Sequence, residues 1–124
     1  MQDEPTPTEL IKAVAEFLRA EIAPAIKGHN AFKLRVGINA LDLVTRQLAL
    51  EEPGDSAELA RLKQLLGVDG SLMELNRALS EKIAKGEVDL NTPGLKKHLW
   101  QTTMDKLAVD QPNYASYKRE LGTK

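Results

Sequence analysis

The sequence contains no cysteine, which excludes a disulfide framework, a thiol nucleophile and every thiolate metal site. Aromatic residues are few, with one Trp, two Tyr and two Phe in 124 residues. Charge of either sign is not in excess: 17 Lys plus Arg stand against 18 Asp plus Glu, for a net charge of −1. No overall field therefore draws the chain to nucleic acid or anionic lipid, and no basic stripe with interleaved aromatics is present. No run of consecutive apolar residues exceeds three, too short to cross a bilayer. The opening MQDEPTPTE is acidic and lacks the basic and apolar regions of a signal peptide. A soluble, cytoplasmic protein with neither nucleic-acid nor membrane partners is expected.

The helix punctuation is abundant. A length of 124 residues suits one domain, 1–124, able to bury about two-thirds of its unfolded surface. In TPTE, Thr6 and Glu9 make a capping box with Pro7 at the first helical position. Leu10, Ile11, Val14, Phe17, Leu18 and Ile22 then recur at three- and four-residue steps until Pro24 and Gly28. A second helix is predicted from Ala31 to Glu51, with apolar residues around most of its circumference, as a central helix requires. Glu52, Pro53 and Gly54 predict a break, and Asp55 with Glu58 a fresh capping box opening a third helix toward Leu66. Ser71 with Glu74 starts a fourth, which Gly86 closes, and Thr92 with Pro93 starts a fifth whose Leu95, Leu99, Trp100, Thr103, Met104 and Leu107 form its face. Pro112 should end that helix near Asp110, leaving Tyr114, Tyr117 and Leu121 to fasten a short sixth. No segment alternates with a period of two, so the prediction is an all-α bundle of five or six helices without a sheet.

Chemistry-bearing motifs are scarce. His29 and His98 are far apart in sequence and lack a carboxylate or histidine at helical ligand spacing, so no metal is expected. His29 is assigned to the loop before the second helix, and His98, after Lys96 and Lys97, to a solvated surface. GVDG at 67–70 is too short for a phosphate-binding loop and follows a helix, and no serine has a nucleophile-elbow context. No catalytic residue or cofactor is assigned.

The sharpest constellation is Arg35, Asn39, Asp42 and Arg46, whose spacings of four, three and four place them on one line of the second helix. Two arginines flanking an amide suit a carboxylate or phosphate, with Asp42 orienting one guanidinium. The competing reading is an ordinary Asp42–Arg46 pair on an exposed edge, worth about 0.3 to 0.5 kcal/mol. Lys106, beside Asp105, invites an acid–base role, against a stem that covers core while its ammonium reaches water. Tyr114 could stack on a ligand or simply pack.

The strings MQDEPTPTELIKAVAEFLRAEIAP, AFKLRVGINALDLVTRQL, ELNRALSEKI and LKKHLWQTTMDKLAVDQPNYASY together resemble a small bacterial all-helical domain family of unknown function. The runs VGINAL around Asn39 and DKLAVDQPNY around Lys106 look most like its signature. The resemblance implies association with aminoglycoside-phosphotransferase-like kinases, often in the company of acyl-CoA dehydrogenases, and brings no catalytic residues. The chain lacks the catalytic-loop and metal motifs of such a kinase itself. The expected role is a non-enzymatic accessory or interaction module, self-associating as a homodimer, partnering a phosphotransferase-like kinase, or both. Its expected surface joins an apolar patch of the second or fifth helix to a polar rim with Arg35, Asp42 and Arg46. The alternative is a small-ligand protein or enzyme built on the Arg35–Arg46 strip.

Overall fold

A computed structural model describes residues 3–122. The acidic opening read above begins with Met1 and Gln2, which lie outside the described residues, as do Thr123 and Lys124 at the end of the tail. The chain is all-α, with five α-helices and no strand among the described residues. Its contacts separate into two compact units, Met1–Leu50 and Glu51–Lys124.

In the first unit, α1 (Pro7–Phe17) begins as its sequence dictates: Thr6 accepts from the Glu9 amide at 3.2 Å and Glu9 reaches back to the Thr6 amide at 3.3 Å. The helix then loosens into a π-helical turn, Leu18–Ile22, closed by the Ala23 amide on the Leu18 carbonyl, and tightens into a 3₁₀ turn, Ala23–Ala25. Pro24 lies in that last turn, where its missing donor is tolerated. Gly28, at φ 72°, turns the chain into α2 (His29–Leu66). His29 is thus the first residue of the helix rather than part of the loop, and its ring stacks on Phe32 at 6.3 Å. Among the described residues of this unit only Ala15 and Ile38 are buried.

The break predicted at residues 52–54 does not occur. α2 runs through Pro53 for 38 residues, and the boundary between the units falls inside it. Pro53 removes the donor that would meet the Ala49 carbonyl, but Ala49, Glu51, Glu52 and Pro53 are all exposed, so water can donate to that carbonyl instead. With no free helix start, Asp55 and Glu58 have nothing to cap. Glu58 instead accepts from Asn76 Nδ2 at 3.2 Å.

The second unit holds a leucine core. Leu62 of α2, Leu75 and Leu79 of α3 (Leu72–Ala84) and Leu95 of α4 (Leu95–Asp110) are buried together, with Leu59, Leu65, Leu66, Leu72 and Val88 packed around them. Each such leucine contributes about 1.5 to 3 kcal/mol of apolar burial. Between α2 and α3, Lys63 and Asp69 pair at 2.9 Å, and that bond, followed by the Gly70 amide, holds the Asp69 carboxyl below its ordinary range. Ser71 caps α3 by accepting from the Glu74 amide at 3.1 Å. Gly86, at φ 75°, ends it as expected.

The start of α4 differs from expectation by two residues. Thr92 turns its hydroxyl back to accept from the Asp89 amide at 3.0 Å, so the cap position passes to Gly94 at φ 89°. The expected face of α4 is buried only in part: Leu95 is buried and Met104 and Leu107 half-buried, but Leu99 and Trp100 are 41% and 55% exposed, Thr103 is exposed, and His98 is buried in their stead. After Gln111, α5 (Ala115–Glu120) carries one buried tyrosine, Tyr117. Tyr114 and Leu121 are half exposed, so the expected three-residue fastener rests on Tyr117 alone.

Candidate functional site

The predicted strip lies in the first half of α2, on the first unit. Arg35 and Asn39 are exposed, Asp42 and Arg46 half-buried. A residue that periodicity did not single out completes the local geometry: Arg19, in the π-helical turn, donates from Nη2 to Asp42 Oδ2 across 23 residues of sequence. The extra residue of a π turn re-aims the side chains that follow it, and such turns recur at functional sites. Asp42 therefore orients a guanidinium from the preceding helical segment. Both partners are substantially solvent-exposed, so the pair is worth at most about 1 kcal/mol.

The other two candidates belong to the second unit. Lys106 is exposed on α4, and Tyr114, at the cap position of α5, is 53% exposed. The sequence neighbour of Lys106, Asp105, accepts from Gln101 Nε2 at 2.9 Å, an ordinary i,i+4 contact along the helix.

A polar network unforeseen from the sequence occupies the inward face of α4. His98 is 3% exposed, and its Nδ1 accepts from Arg61 Nε at 3.2 Å. Arg61 Nη2 also donates to Thr102 Oγ1 at 3.3 Å and lies 3.8 Å from Asp105 Oδ2. Leu95, His98, Thr102 and Asp105 follow one another at steps of three, four and three, so one helix face presents a core leucine and then three partners for a single arginine of α2. His98 was expected at a solvated surface. It is buried because the 100° step places it on the same face as Leu95, away from the flanking lysines. Burial, then the charge of Arg61, push the imidazole pKa below its usual value, with Glu58 opposing weakly. An Nδ1 that accepts from a guanidinium carries no proton, so the ring is neutral and protonated at Nε2. Among the described residues no three His, Asp or Glu side chains gather in a metal-holding group.

The model of a family described as "Domain of unknown function (DUF6285)" matches residues 24–114, well over half of the chain. No curated protein and no solved structure matches it significantly.

Proposed function

The chain belongs to the DUF6285 family, a domain of unknown function, and from that premise we propose that it is a non-enzymatic interaction module. One observation carries the reading: the only tryptophan and both phenylalanines of the sequence are more than half exposed, Trp100 at 55%, Phe17 at 53% and Phe32 at 55%. Large aromatics anchor protein interfaces because they bury much area at small rotamer cost. In the same unit as the two phenylalanines, Leu10, Val14, Val36, Val44, Leu48 and Leu50 are also exposed at 41% or more, while among its described residues only Ala15 and Ile38 are buried. A unit with so small a core gains its stability by covering that surface.

The occupant proposed is a second copy of the chain, giving a homodimer. The polar strip of Arg35, Asn39, Asp42 and Arg46 would form its rim, with rim charges acting on association rate more than on affinity. The sequence resemblance adds a finer proposal, a cytoplasmic bacterial accessory to a phosphotransferase-like kinase. The Arg19–Asp42 pair supports a structural part for the strip, because its one carboxylate already has a guanidinium partner.

Size-exclusion chromatography with light scattering on the full chain tests the dimer. The wild type should run at twice 13.7 kDa, and Phe17→Asp with Phe32→Asp should return it to monomer with unchanged helicity. A wild type that stays monomeric at high concentration refutes self-association. Co-expression with the kinase then decides the second proposal: neither co-purification nor a change in its turnover would end it.

A further inference from the structure

We propose that the second unit carries a binding site for a small oxyanion with an apolar body, a carboxylate or a phosphate monoester, in the cavity between the C-terminal half of α2 and the start of α4. The cavity measures about 490 Å³ and is lined by Arg61, Gln64, Leu65, Pro93, Lys97 and His98 together with Gly94. That volume falls within the range of small-molecule sites, which combine an apolar wall with a few converging polar groups.

The charge of the lining is one-sided. Arg61 and Lys97 are cationic, Gln64 and the neutral His98 can donate, and no lining residue is a carboxylate. Arg61 is held in place by its neighbours: its contacts with His98, Thr102 and Asp105 engage Nε and Nη2 and do not engage Nη1. A guanidinium fixed through some of its donors presents the others without further loss of rotamer freedom, the arrangement suited to carboxylate and phosphate.

The backbone adds to the same field. α4 is 16 residues long, its cap residue Gly94 offers no side-chain acceptor, and its first turn has no acidic residue. The amides of Lys96 and Lys97 fall in that first turn, where no carbonyl of the helix reaches them, and the positive end of the helix dipole favours an anion. Pro93 and Leu65 supply the apolar wall. Gly94 stands at φ 89°, a conformation that side chains rarely adopt, so the cap keeps both its shape and its open amides. This site is independent of the dimer surface proposed above, because none of its lining residues is among the exposed aromatics.

The test is a ¹H–¹⁵N NMR titration of the full chain at constant ionic strength with phenyl phosphate, benzoate and inorganic phosphate. Phenyl phosphate or benzoate should produce saturable shifts at the amides of Lys96, Lys97 and His98, and whichever saturates at lower concentration assigns the head group. Inorganic phosphate should bind more weakly; equal affinity would remove the apolar wall from the proposal. Lys97→Gln, at an exposed position, should keep the fold and weaken binding about tenfold or more, the loss expected of one charge-assisted contact. Arg61→Lys should weaken it likewise. Shifts that never saturate, or that are unchanged in Lys97→Gln, would overturn the site.

Discussion

Arg61 and His98, 37 residues apart, are joined by one hydrogen bond in which the guanidinium Nε donates to the imidazole Nδ1 at 3.2 Å. A cation donating to a histidine fixes the histidine's charge state, since the accepting nitrogen cannot also hold a proton. The arrangement ties the second half of α2 to α4 through a polar contact beside the leucine core, and it makes the stability of the second unit depend on pH.

The sign of that dependence follows from the lowered pKa. Between the folded value and the ordinary 6.5 the unfolded chain binds more protons at His98 than the folded one. Stability should be complete above about pH 6.5 and fall as the pH drops through that value toward the folded pKa. Urea midpoints measured from about pH 7.5 down to about pH 5 should decline in the wild type and decline less in His98→Gln. The other shifted group, Asp69, titrates below 3.8 and does not act in this window. A wild-type midpoint that is flat across the window would contradict the buried neutral imidazole.

Removing the arginine tests the same contact from the other side. Arg61→Ala leaves His98 Nδ1 buried without its donor and strands Thr102, at a cost of about 1 to 3 kcal/mol. Arg61→Gln keeps one donor and should lose less. Thermal melts of the two variants against wild type check the order, and equal melting points for all three would show that the network contributes nothing.

The sequence made α4 legible as a helix but not its inward face. Of the expected face Leu95 is buried and Met104 and Leu107 half-buried, yet Leu99 and Trp100 are exposed, and the residues that meet Arg61 run His98, Thr102, Asp105. Periodicity ranks faces by apolar content, so a face that satisfies an arginine by hydrogen bonding is invisible to it. The caps at Thr6 and Ser71 and the stop at Gly86 were readable because each acts locally. Arg19 was not, because only the π turn and the return of α2 bring it to Asp42. Arg35, Asn39, Asp42 and Arg46 do follow one another along α2 as their spacing required.

The two tyrosines near the end of the chain should behave differently despite their proximity. Tyr117 is 9% exposed and Tyr114 is 53% exposed. Tyr117→Ala should cost about 3 kcal/mol or more, in the range of large aromatic truncations in cores, whereas Tyr114→Ala should stay within about 0.5 kcal/mol. Denaturant unfolding of both variants separates them. A comparable loss from each would mean that the tail packs as a pair.

Pro53 provides the sharpest test of the fold, because its two readings predict opposite results. If residues 52–54 separated two helices, Pro53 would stand near a helix start, where proline is well suited, and replacing it would gain nothing. In the continuous α2 it lies in a helix interior, deprives the Ala49 carbonyl of its partner and costs about 3 kcal/mol relative to alanine. Alanine also gives the unfolded chain more freedom, which subtracts about 0.4 to 1 kcal/mol from the gain. Pro53→Ala should therefore raise stability by about 2 kcal/mol, with far-ultraviolet dichroism showing unchanged or slightly greater helicity. A variant no more stable than the wild type would place a helix boundary at Pro53 and restore the break that the sequence suggests.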